Sequence, residues 1–239
     1  MTRALDWDGC SNVRDLGGIP LERGGETRRG AVARADSLRR LSDAGWEALA
    51  DYGVTRIVDL RLPEELAQDA PRAIGVEVVH VSLVGDADPL FHEHLDEHPD
   101  AESYWAWVYV WILENRRDRI AGALAAIADA DGSVVFHCAG GKDRTGIVAA
   151  LTLRLAGASI DEVVSDYVFT KDISRDWVAE AADERERATR VLLTSTPPEA
   201  MRRALEHLDR KLGGVEAYLL GAGLSAGQLT RLRDRLAAP

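Results

Sequence analysis

The sequence predicts an α/β fold: a central, mostly parallel sheet flanked by helices, with an all-helical C-terminal third. Two observations carry this. Short apolar runs rich in β-branched residues alternate with stretches of helical period through the first two thirds, which suits parallel strands joined by crossovers. Beyond about residue 145 only helical patterns follow.

Taken in order, Gly30 to Ala35 is a short strand. Ser42 then caps a helix to about Tyr52, with Asp43 at its positive end and Gly53 as its stop. Val54 to Leu60 reads as a buried strand that ends in charge, and valine-rich Val76 to Val81 as another. Residues 84–100 are acidic, His-bearing and loop-like. Helices follow over about 101–114 and 117–130, the second with Ile120, Leu124 and Ile127 on one face. Ser133 to His137 is an apolar strand leading into a glycine-rich turn and a helix over 145–156. Ser159 and Glu162 form a capping box for the next helix. The charged segment 173–193 has helical period, Pro197-Pro198 ends it, a helix runs to Leu212, and Ser225 to Gln228 cap the last one. With no repeat, low-complexity tract or linker, residues 1–239 are expected to form a single domain.

Composition bounds the partners. Lys plus Arg total 29 against 40 Asp plus Glu, a net charge of −11. Such a charge repels nucleic acid and argues against broad adhesion to anionic membranes but not against reaching one lipid headgroup, so neither nucleic acid nor integral membrane association is expected. The longest uncharged apolar run, Tyr104 to Leu113, is far short of the ~20 residues of a bilayer span. The N-terminus has no signal-peptide pattern, and the 2 cysteines, Cys10 and Cys138, suit a reducing compartment, so a cytoplasmic location is expected. His92, Glu93, His94 and His98 have metal-like spacing, but their acidic setting and Pro99 suit an exposed loop better. No metal and no cofactor is expected.

The chemistry lies in His137-Cys138-Ala139-Gly140-Gly141-Lys142-Asp143-Arg144-Thr145-Gly146. A Cys six positions before an Arg is not rare; between a strand and a helix, with glycines filling the turn, it is informative. Glycine permits the angles that aim successive N–H groups into an anion nest, and the helix N-terminus points its positive end at the same spot. Such a nest favours a thiolate and cradles the oxygens of a phosphoryl group. Cys138 is thus the candidate nucleophile, and the backbone of Ala139, Gly140, Gly141, Lys142, Asp143 and Arg144 the candidate phosphate site. Arg144 adds a bidentate fork for charge built up in the transition state. Thr145 can donate to the sulfur when water attacks the intermediate, and His137 supports the loop.

Rival readings fit less well. A nucleotide P-loop needs Ser or Thr after Gly141-Lys142, where Asp143 stands, and a Gly where Phe136 stands. A phosphate-reading module without turnover would be expected to lack the Cys or the Arg. A persulfide-carrying sulfurtransferase shares a Cys-containing anion loop and remains an alternative. Low-mass arsenate reductases place their loop near the N-terminus, unlike this chain.

The segment 137–146 resembles the signature of the Cys-based protein tyrosine phosphatase superfamily, His-Cys-x5-Arg-Ser/Thr. More narrowly it is similar to the bacterial and fungal tyrosine-and-lipid phosphatase family, whose loop reads His-Cys-x-x-Gly-Lys-Asp-Arg-Thr-Gly. Asn12 to Gly18, Arg34 to Leu38, Asp59-Leu60-Arg61 and Tyr218 to Leu232 resemble further elements of that family. The resemblance implies a dual-specificity-like phosphomonoester hydrolase acting on phosphotyrosine, phosphoserine or phosphothreonine proteins, or on phosphoinositides.

The general acid is less legible. Asp88 and Asp100 lie upstream in a plausible stretch. Asp59 ranks first, because parallel strands bring their carboxyl ends to one crevice and because the narrower family is thought to use this Asp; Asp143 ranks second. The competing roles are an ion pair with Arg61 for Asp59, and an anchor for Lys142, Arg144 or Arg14 for Asp143. Lys142 is expected to meet a second anionic group on the substrate or to be a solvated lysine. Residues 171–195 read as a solvated helix held by i,i+4 pairs or, by the resemblance, as a lid. The aromatic segment 104–111 reads as a core helix or as a recognition wall. Cys10 is an inert thiol or a disulfide partner for Cys138.

Overall fold

The computed structural model describes residues 3–68, 75–85, 94–170 and 178–237. Its sheet has the order β1-β2-β5-β3-β4, from β1 (Arg14–Asp15), β2 (Val32–Ala35), β3 (Val54–Asp59), β4 (Glu77–His80) and β5 (Ser133–His137). Only β1 runs antiparallel, against β2; the other pairs are parallel. Ten helices are present among the described residues: α1 (Asp43–Asp51), α2 (Pro63–Ala67), α3 (Ala101–Asn115), α4 (Arg117–Ala128), α5 (Asp143–Ala156), α6 (Ile160–Val168), α7 (Glu184–Thr194), α8 (Pro198–Lys211), α9 (Gly214–Gly221) and α10 (Ala226–Leu236). This is the expected α/β architecture with its helical C-terminal third.

Side-chain alternation divides the core. Val134 and Phe136 of β5 face a large cluster with α3 to α6 and α8 to α10, while Val135 faces a smaller one with Trp7, Leu38, Leu41 and Leu49. Caps fall where the sequence places them: Ser42, Ser159 and Ser225 accept from Gly45, Glu162 and Gln228, and Gly157 ends α5 at φ +101°. Of these three serines, Ser225 alone forms a reciprocal capping box.

Four elements depart from expectation. β4 is an edge strand, and Val78 is 54% exposed rather than buried. Its placement at the sheet edge follows from strand order, which hydrophobicity does not encode. β1 and α2 are too short for a periodic signal. The charged segment after α6 forms α7 from Glu184, with Asp183 as its cap and an i,i+4 pair of Arg190 and Glu186 at 2.5 Å; residues 171–177 lie outside the described residues. No helix among the described residues is long and apolar enough to cross a membrane.

Candidate active site

Two adjacent parallel strands deliver the site. β5 ends at His137, directly followed by Cys138, and Asp59 at the end of β3 pairs in register with His137. The 138–142 turn then enters α5, which opens at Asp143 and aims its N-terminal amides back at the turn. Gly141 is at φ +64°, and a Cβ there would meet the Ala35 carbonyl oxygen at 2.5 Å, so only glycine lets the turn lie against the end of β2.

The turn is held from outside by its carbonyls. Ser37 N–H donates to Ala139 O at 3.0 Å, and Asn12 Nδ2 to Gly140 O and Gly141 O at 3.0 and 3.2 Å. Arg34 Nη2 donates to Gly141 O at 2.7 Å and Lys142 O at 3.4 Å. In a planar trans peptide an outward carbonyl turns the next N–H inward, so these contacts build the nest. Asp36 fixes Asn12 in turn, accepting from the N–H groups of Ser11 and Asn12.

Charged side chains ring the turn. Arg144 is forked onto Glu65 of α2, with Nη2 donating to Oε1 at 3.0 Å and Nη1 to Oε2. Burial alone would raise the Glu65 pKa, but Arg144 and the Leu62 N–H outweigh it and hold the carboxyl below its ordinary value. Asp59 is buried and takes Arg61 Nη2 at 2.6 Å, Arg61 Nε at 3.0 Å and the Arg61 N–H at 3.0 Å. Burial again raises its pKa, and the Arg61 hydrogen bonds with the nearby His137 overcome this, so the carboxyl is held low and ionised. Asp143 differs: its side chain is 26% exposed against 3% for Asp59, and it accepts from the Tyr109 hydroxyl at 2.6 Å. Arg61, two residues on, curls back onto the Asp59 carboxylate, whereas Asp143 keeps an exposed edge.

Of the two readings of Lys142, the solvated one gives way: its side chain is 9% exposed, and its ammonium lies 3.4 Å from Asp143 Oδ1 and within reach of the Cys138 charge. It donates to Leu193 O at 2.6 Å and Ser195 O at 2.8 Å, at the C-terminal end of α7, and lies 4.1 Å from the Trp105 ring centroid. Burial lowers its pKa despite the Asp143 charge. Trp105 Nε1 donates to Leu192 O at 3.0 Å, so α7 rests its carboxyl end on the turn and on α3. The recognition-wall reading of 104–111 gives way for Tyr104, Trp105 and Tyr109, which are buried core residues.

The remaining candidates fall as follows. His137 Nε2 lies 3.6 Å from Asp59 Oδ2, and its Nδ1 is 3.3 Å from Cys138 O, between the two strand ends. The Thr145 hydroxyl is buried with no hydrogen-bond partner among the described residues. Asp100 caps α3 through Ser103 N–H. Asp88, His92 and Glu93 lie outside the described residues, while His94 and His98 place their rings 5.0 and 5.3 Å from Trp107. Cys10 and Cys138 are both free thiols, and Arg14 is held by Asp166, not Asp143.

Sequence reasoning missed Glu65, Tyr109 and Asp166. Glu65 sits three residues after Leu62, whose N–H it accepts at 2.7 Å, and that helix-opening pattern with Pro63 was a usable signal. Tyr109 and Asp166 left none, since each lies on a helix among many similar residues.

The profile of the tyrosine phosphatase family matches residues 5–238. A "Tyrosine-protein phosphatase" of Nostoc commune is 32% identical over 86% of this chain and 74% of its own. A "Triple specificity protein phosphatase PtpB" of Mycobacterium tuberculosis is 27% identical over 95% of this chain and 97% of its own. The chain therefore belongs to the tyrosine phosphatase family, and is a hydrolase of the protein-tyrosine-phosphatase type.

Proposed function

We propose that this phosphatase works through a cysteinyl-phosphate intermediate. The Cys138 thiolate attacks phosphorus, an S–P bond forms, and the ester P–O bond breaks as the leaving oxygen takes a proton. Asp143 supplies that proton, with Asp59 kept as an ionised anchor of Arg61. Water then attacks the thiophosphate with the same carboxylate as its base, releasing phosphate and restoring the thiolate while Thr145 donates to the departing sulfur. The 139–144 amides and Arg144 bind the oxygens throughout. The observation that carries this reading is the outward anchoring of four successive carbonyls, Ala139 to Lys142, directly after a cysteine.

The substrate class we propose is phosphotyrosine protein, extended to phosphoserine, phosphothreonine and phosphoinositides by the resemblance carried by the 137–146 segment. Likeness to a relative named for triple specificity supports a range wider than phosphotyrosine. The net charge of −11 supports a partner other than nucleic acid, and two free thiols suit a cytoplasmic, reducing setting. One phosphatase domain accounts for the whole chain.

The test is phosphate release without added metal from phosphotyrosine peptide, phosphoserine peptide and short-chain phosphoinositide, with Cys138→Ser as the blank. Release that vanishes in the blank is expected, and the rank order assigns the substrate. Turnover retained by Cys138→Ser sinks the mechanism.

A further inference from the structure

We propose that Asp166 is a positioning residue for the phosphate loop, acting through Arg34 and through Arg14 and Asn12. The inference rests on the reading above that residues 138–144 bind phosphate. Asp166 lies on α6, well outside the signature segment, and is 1% exposed. Three guanidiniums converge on its carboxylate: Arg3 Nη1 at 2.7 Å, Arg14 Nε at 3.0 Å and Arg34 Nη1 at 2.6 Å.

As a device for stability this cluster is poor. Burial penalises every charge in it, and three cations on one anion leave an excess of positive charge in the interior. The strain is visible in Arg14, whose pKa is lowered to about 10, first by burial and then by Arg34. Apolar side chains of similar volume would fill the space at least as well. What they would not supply is the onward bonding.

Arg34 uses one Nη on Asp166 and gives the other to Gly141 O at 2.7 Å. Arg14 is locked by Nε on the Asp166 carboxylate and Nη2 on the Asp166 carbonyl at 2.8 Å. Its Nη1 donates to Asn12 Oδ1 at 2.6 Å, and this contact decides which end of the Asn12 amide faces the loop. Nδ2 is thereby turned to Gly140 O and Gly141 O. One buried carboxylate on α6 thus sets three carbonyls of the loop outward, at residues 140 to 142, and with them the inward N–H groups of 141 to 143.

The sign of the effect separates positioning from simple electrostatics. Removing the Asp166 charge leaves the region more positive, which by Coulomb's law alone tightens anion binding. Loss of positioning weakens it instead. The readout is the inorganic phosphate concentration that half-protects Cys138 from alkylation by iodoacetate, a measurement independent of turnover. Asp166→Asn and Asn12→Ala, each checked for folding by circular dichroism, are both expected to raise that concentration about tenfold, the equivalent of one lost hydrogen bond.

Unchanged or tighter phosphate protection in folded Asp166→Asn overturns the proposal. Should Asp166→Asn fail to fold, Asn12→Ala decides: it leaves the charges in place, and unchanged protection there overturns the proposal equally. A wild-type protein whose Cys138 is protected by phosphate but which cleaves no ester would refute the hydrolytic mechanism and leave this test standing. A wild-type protein that phosphate does not protect refutes both.

Discussion

Glu65 holds the guanidinium of Arg144 in a fork, carboxylate to guanidinium, across 79 positions of sequence. The contact joins α2, the helix that follows β3, to the start of α5 beside the nucleophile's turn. Since Glu65 also accepts the Leu62 N–H, it has little freedom to move, and Arg144 inherits that rigidity.

Glu65→Gln keeps the shape and removes the charge. It is expected to leave the fold intact and to lower kcat on the order of a hundredfold, because the guanidinium is no longer fixed where charge develops. Steady-state kinetics on an aryl phosphate check this. A variant with unchanged or raised kcat would mean that Glu65 competes with phosphate for Arg144 and does not position it.

The identity of the acid is testable through the leaving group. A poor leaving group such as an alkyl or unsubstituted phenyl alcohol needs the proton; a nitrophenolate does not. Asp143→Asn is expected to cut kcat on phenyl phosphate at least about tenfold more than on p-nitrophenyl phosphate. Asp59→Asn is expected to affect both esters alike. If the leaving-group dependence follows Asp59, the buried carboxylate is the acid after all, and Arg61 must release it during turnover.

Acid titration reports on Asp59 from the stability side. Its folded-state pKa lies below the ordinary carboxylate value, so its contribution is present at pH above ~4 and is lost as pH falls through the lowered value. Urea unfolding between pH 7 and pH 2 should therefore show wild-type stability declining below about pH 4. Asp59→Asn should start less stable at pH 7 and decline less across that window. Parallel curves for the two proteins would show that Asp59 is not held ionised by folding.

The strands at 54–60 and 133–137, the caps at Ser42, Ser159 and Ser225, and the Cys138 turn with its following helix are all legible in the amino-acid sequence. Each is written in residues a few positions apart, as period, cap or glycine, and short-range sterics and hydrogen bonding act over that same distance. The partners of those residues are not legible there. That β4 lies at the sheet edge, that Lys142 is taken up by α7, that Asp59 is closed off by Arg61 while Asp143 stays accessible, and that Asp166 meets Arg34 from 132 residues away were decided by packing alone. A charged residue carries no mark of its partner. The pairing is chosen when strands and helices come together and each buried charge must find a counter-charge, so the sequence determined the nucleophile and its loop, and the tertiary structure decided what holds them in place.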